Sequence, residues 1–160
     1  MNIIDNELGI VDKLECFDLH NFRNQQKLTI TNFAWDRAYT SDVIELIAGN
    51  RCLFLKEEQY IFRTVIGDTS FDSGLHYWEI IADSRTENEL KVGVSKRRDF
   101  DLKTAFSDYS FGWAYYAVGQ LRHCDGTNGV NFGSKAMKKE GVLGILLDMN
   151  KGTLSFSLNG

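Results

Sequence analysis

The chain has 160 residues, 43% of them apolar and 12% aromatic, and a formal net charge of −4. That is enough apolar mass for one folded domain with a packed interior, and it excludes an intrinsically disordered chain. A balance on the acidic side argues against the basic face that duplex nucleic acid requires, so no nucleic-acid partner is expected. No stretch approaches eighteen apolar residues, so no membrane insertion is expected. The N-terminus lacks a basic region followed by an apolar one, so no secretory signal is expected. Cys16, Cys52 and Cys124 are odd in number, far apart and without a C-x-x-C pair. They argue against a disulfide framework and a zinc site and for a reducing, cytoplasmic setting. Proline is absent, which excludes proline-rich linkers and polyproline ligands.

Residues 1–27 are polar with spaced apolar positions at Leu8, Val11, Leu14, Phe17 and Phe22. The spacing allows a short amphipathic helix or irregular chain. From Leu28 onward the pattern is that of strands. "LTITNFAW" alternates and is β-branched, and "VIELIAGNRCLFLK" reads as a hairpin with a two-residue Gly49-Asn50 turn. "YIFRTVIGD" is a further strand. "LHYWEIIAD" is apolar on both parities and predicts a strand covered on both faces. "ELKVGVS" follows a polar loop, "GWAYYAVGQLRHCDG" predicts two short strands broken at Gly119, and "GVLGILLDM" with "GTLSFSLNG" ends the chain. About nine or ten short strands separated by turn signals give an all-β sandwich.

Several motifs resemble sites and fail on their chemistry. Asp148, Asn150 and Gly152 look like the front of a calcium loop. The third ligand position is Gly152 and the twelfth is Asn159, so one carboxylate and one amide would have to displace the cation's hydration shell. Asn150-Lys151-Gly152 reads instead as a hairpin loop with Gly152 at positive φ, followed by Leu154, Phe156 and Leu158 on the core face. Thr153, Ser155 and Ser157 then meet water or a partner. "NGVNFGSKAM" has the order Gly-Ser-Lys in a β context, not the Gly-Lys-Ser of a phosphate loop entering a helix. His123 and Cys124 are adjacent, and neighbours on a strand point to opposite faces. His76 shares the parity of Trp78 and reads as a structural histidine. The triplet Lys96-Arg97-Arg98, flanked by Asp99 and Asp101, reads as a solvated loop. No catalytic residue, metal or cofactor is expected.

Four motifs in order resemble the SPRY domain family: "SGLHYWEI" (Ser73 to Ile80), "KVGVS" (Lys91 to Ser95), "FGWAYYAVGQLRHCDG" (Phe111 to Gly126) and "GVLGILLDMNKGTLSFSLNG" (Gly141 to Gly160). The resemblance covers residues 28–160 and leaves 1–27 as an N-terminal extension. It implies a bent antiparallel β-sandwich without a catalytic centre, which binds a peptide or protein surface through its end loops. It also implies strands beyond Gly160. Two such strands would bury side chains worth on the order of 10 kcal/mol. The expectation is therefore a piece of a longer protein, or strands supplied by another chain or by the N-terminal segment. By the same resemblance, Arg51 and the segment from Asp99 to Tyr109 align with ligand-facing loops. Arg51, Arg97, Phe100, Lys103, Phe106 and Tyr109 are the candidate binding residues, while Trp78, Trp113, Leu154, Phe156 and Leu158 are the expected structural core. Three roles follow: a targeting adaptor, a structural subunit of a large assembly, and a sandwich that binds a small ligand or glycan.

Overall fold

The computed structural model describes residues 28–59, 61–86, 89–124, 130–131 and 140–160. The expected N-terminal helix, Cys16 and most of "NGVNFGSKAM" lie outside the described residues. Within them twelve strands follow in order: β1 (Leu28–Ile30), β2 (Trp35–Thr40), β3 (Ile44–Ile47), β4 (Cys52–Leu55), β5 (Val65–Gly67), β6 (Leu75–Ala82), β7 (Lys91–Ser95), β8 (Gly112–Tyr116), β9 (Gln120–Arg122), β10 (Val130–Asn131), β11 (Gly141–Asp148) and β12 (Thr153–Leu158). One turn of 3-10 helix, Phe106–Asp108, interrupts them.

Two four-stranded sheets form the sandwich, ordered β1-β6-β11-β12 and β10-β9-β8-β7. All pairings in them are antiparallel except β1 with β6. Register explains the core. Trp78 pairs with Ile145 and Ile145 with Phe156, so the three stand in one row across β6, β11 and β12. In the facing sheet Val94 pairs with Trp113 and Val92 with Tyr115. Period-2 alternation turns all of these inward, and the Tyr115 ring meets Phe156 at 5.7 Å between centroids. Trp78 is 7% exposed and Trp113 8%. Leu154 and Phe156 are buried with them, and half-buried Leu158 packs against the same cluster.

The expected double coverage of β6 holds for its first half. Leu75 and Tyr77, on the side away from Trp78, are buried, but Ile81 is 76% exposed. The hydroxyl row of β12 is less open than its composition implies, since Ser155 is buried.

Two small ribbons, β2-β5 and β3-β4, complete the chain. "LTITNFAW" is two strands rather than one. Beyond Thr31 the chain leaves β6, and Ala34 O accepts the Asp68 N–H at 2.9 Å while the Asp68 carboxylate accepts the Ala34 N–H at 3.1 Å. Among the described residues of "YIFRTVIGD" only Val65–Gly67 is strand. Thr64 instead bonds a loop, its N–H to Leu102 O at 2.8 Å and its hydroxyl to Thr104 O at 2.7 Å. The β3-β4 turn has four residues, not two. Ile47 pairs with Cys52, and Ala48, Gly49 and Asn50 all take positive φ.

At the last hairpin Gly152 has φ +72°. The Asp148 carboxylate caps the turn by accepting the N–H groups of Asn150 at 3.0 Å and Lys151 at 2.9 Å. Asn150 reaches away and accepts the Gly74 N–H at 3.2 Å. The residues that imitate a calcium loop are thus engaged in turn geometry.

Candidate functional site

The β7-β8 connection, residues 96–111, is held at its base by the Lys96 N–H donating to Phe111 O at 2.8 Å. Inside it Asp101 builds a tight turn. Its carboxylate accepts the Lys103 N–H at 2.9 Å and its carbonyl accepts the Thr104 hydroxyl at 2.6 Å. The 3-10 turn that follows lies on β8. A side chain at Gly112 would strike the carbonyl of Phe106, so that glycine permits the contact. Lys91, its side chain buried, ties the same turn down from β7. It donates to Asp108 Oδ1 at 3.1 Å, with its ammonium 4.2 Å from the Phe62 ring centroid.

These constraints leave an aromatic shelf. Tyr109 and Phe111 are stacked at 4.9 Å with planes 8° apart, and Phe100 leans on Phe111 at 5.0 Å and on Tyr109 at 6.4 Å. Tyr109 is exposed, and Phe100 and Phe111 are half-buried. Arg97 lies 5.4 Å from the Phe111 centroid and clasps Asp99 with two bonds, Nε to Oδ1 at 2.8 Å and Nη2 to Oδ2 at 2.7 Å. The guanidinium hydrogen bond holds the Asp99 carboxyl below its ordinary range and raises Arg97 in turn. Both side chains are open to water, so solvent screens the pair and it adds little to stability.

In the basic triplet Lys96 and Arg97 are exposed, as a solvated loop requires, while Arg98 is half-buried. Each cation lies over a ring: Lys96 over Trp113 at 5.0 Å, Arg97 over Phe111, and Arg98 over Tyr39 at 4.5 Å. Flanking aspartates hid this arrangement, because the rings come from two other parts of the chain, Phe111 with Trp113 and Tyr39.

Of the candidate binding residues, Arg97, Phe100 and Tyr109 meet around Phe111. Phe106 does not join them. It is half-buried and turned toward Gly112 on β8. Lys103 stands exposed on the Asp101 turn, beside the docked Thr64 segment. Arg51 is exposed on the β3-β4 turn and reaches the shelf through intermediates. Its neighbour Asn50 accepts the Trp35 N–H at 2.8 Å, and Asp36 next to Trp35 pairs with Arg98 at 3.1 Å. Trp35, Asp36 and Tyr39 were invisible as rim residues in the sequence. The β2-β5 register slips between Trp35 and Thr40, so parity does not say which side each residue takes.

The remaining candidates are structural. His123 donates its Nδ1–H to Gly112 O, 2.8 Å away, and stacks on Trp113 at 4.4 Å. His76 has Ser73 O at 2.7 Å from one ring nitrogen and the Thr31 hydroxyl at 3.3 Å from the other. Cys52 and Cys124 are free, exposed thiols. Among the described residues no three His, Cys, Asp or Glu side chains are grouped to hold a metal ion, and no helix is long and apolar enough to cross a membrane.

Comparison with known proteins gives two findings. A family model described as the SPRY domain matches residues 75–160. Among solved structures the chain is similar to one titled "Stonustoxin structure", with a TM-score of 0.60 and 21% identity. That match covers 79% of this chain and 21% of the other, so this chain corresponds to about a fifth of that chain's length.

Proposed function

The chain belongs to the SPRY domain family, whose members are in general non-catalytic protein-interaction modules, and on that premise we propose that its end loops bind a peptide or protein surface. The binding face is the shelf of Phe100, Tyr109 and Phe111 with Arg97, continued through Trp35 and Tyr39 to the Arg51 turn. The observation that carries the proposal is the exposed, stacked Tyr109-Phe111 pair with a guanidinium beside it. Rigid aromatics and arginine supply most of the energy at protein interfaces, since they offer large contact area at small entropic cost. Loops braced on a sandwich are where such groups serve recognition. In this reading the chain is non-catalytic and cytoplasmic, needs no cofactor, and serves as a targeting adaptor when a second module accompanies it.

The test is selection of binders from a displayed random-peptide library. Selected peptides should lose about tenfold or more in affinity for Tyr109→Ala and for Arg51→Ala, with thermal midpoints unchanged. Binders indifferent to both substitutions would place recognition elsewhere and overturn the reading.

A second reading rests on a different observation. Leu53, Phe54 and Leu55 of β4 are all exposed, as is Ile47 of β3, which pairs with Cys52. Exposed apolar side chains along a strand edge favour a subunit that is covered within an assembly.

A further inference from the structure

Arg98 makes a different set of contacts from the two cations before it. Its side chain is half-buried, and its Nη2 donates to Gly67 O at 2.6 Å and to Asp36 Oδ2 at 3.1 Å. Its guanidinium also lies 4.5 Å from the Tyr39 ring centroid. One side chain from the β7-β8 loop therefore touches both strands of the β2-β5 ribbon. That ribbon is weakly knit. Between Trp35↔Gly67 and Thr40↔Val65 its register slips, and the first of these pairs is where Arg98 binds. The same end of β2 holds the Arg51 turn through the bond from Trp35 N–H to Asn50 O. Asp68, the other carboxylate beside this end, is held below its ordinary range chiefly by the Ala34 N–H, with Arg98 adding a smaller pull.

We propose that Arg98 is a positioning residue that locks the 96–111 loop onto the β2-β5 ribbon and so fixes the aromatic shelf and the Arg51 turn in one relation. Both charge-assisted bonds leave one nitrogen, Nη2, while the planar guanidinium lies over the Tyr39 ring. Lysine, a point charge, reproduces only part of that set. The inference rests on the reading that these two loops form one binding face, but its test needs no partner.

Amide hydrogen exchange, resolved by segment, is compared in the wild-type chain, Arg98→Ala and Arg98→Lys. In Arg98→Ala, exchange should quicken about tenfold or more in 96–111 and in 48–51, while β6, β11 and β12 keep wild-type rates. Arg98→Lys should fall between the two. Unchanged exchange in 48–51 would overturn the proposal, because the two loops would then be uncoupled. Uniform acceleration across β6, β11 and β12 would also overturn it, because Arg98 would then serve global stability alone. If the exchange pattern holds but selected peptides ignore Tyr109 and Arg51, the binding reading fails and the coupling stands.

Discussion

Gly93 of β7 pairs with Ala114 of β8. An ideal Cβ there would lie 2.7 Å from the Ala114 Cα and overlap the Trp113 carbonyl. Both are backbone atoms in a paired strand and cannot swing aside. Gly93→Ala must therefore part the two strands, and it should cost about 3 kcal/mol or more by urea denaturation. A loss under about 1 kcal/mol would mean that the strands separate freely at this point. This gives a physical reason for the glycine of "KVGVS", which composition alone does not supply. Tyr116 makes a second test of local environment. Burial, and then its hydrogen bond to Glu89, push its phenol up to about 12. A raised pKa means that the folded state holds the proton more tightly than the unfolded one. The stability it contributes is full below about pH 10, where the unfolded phenol titrates, and is lost as pH climbs toward 12. Denaturation followed across that window should show a steeper decline for the wild-type chain than for Tyr116→Phe. Parallel curves would refute the assignment.

Strands and loops of this molecule differ in how they respond to truncation, and Trp78 and Arg51 show it. Trp78 stands in a cross-strand row with Ile145 and Phe156, and its ring stacks on Phe71 at 5.4 Å. Trp78→Ala should cost about 3–5 kcal/mol through lost contacts and the cavity left behind. The Arg51 side chain is exposed and makes no hydrogen bond or ion pair among the described residues, so Arg51→Ala should stay within about 0.5 kcal/mol. Equal losses in urea would refute the division into core and rim. The same contrast explains what could be read from residue order. β6, β11 and β12 are bonded along their lengths into one sheet, so inward positions must be apolar and the alternation is plain, as in "TLSFSL". β2 lacks that constraint because its register slips, and "DRAYT" carries no strand signal. Ile61–Thr64 has the composition of strand, yet the Ile61 N–H bonds Gln59 O and Thr64 bonds Leu102 and Thr104 in a loop. In the candidate site, the aromatics of 100–111 stand out by composition. The partners of Arg98, namely Asp36, Tyr39 and Gly67, lie about thirty or more residues upstream, and only folding brings them to it.

Taken whole, the described molecule has two surfaces of opposite character. One is the rim around Phe111, where each guanidinium has a ring and a carboxylate. The other is the β3-β4 ribbon, where Phe54 is 45% exposed and has Arg85 as its cation partner at 5.7 Å. Ile44 and Leu46 anchor the ribbon inward, but Leu53 and Leu55, which share their face, stay partly open. No charge interrupts "CLFL", and the ion pair between Glu45 and Lys56 is itself exposed. Natural sheets guard such edges with lysine, proline or a covering segment. Among the described residues β4 pairs only with β3, so strand edges from two copies can pair and bury their leucines together. The isolated chain should accordingly associate as its concentration rises, and Phe54→Asp should abolish the association. The side chain is open to water, so the substitution should leave the thermal midpoint nearly unchanged. Sedimentation velocity at two or three concentrations measures the first effect and thermal melting the second. A wild-type chain that stays monomeric throughout would show the ribbon to be inert and would remove the support for a subunit role. A Phe54→Asp chain that melts much earlier would show that the ribbon belongs to the core instead.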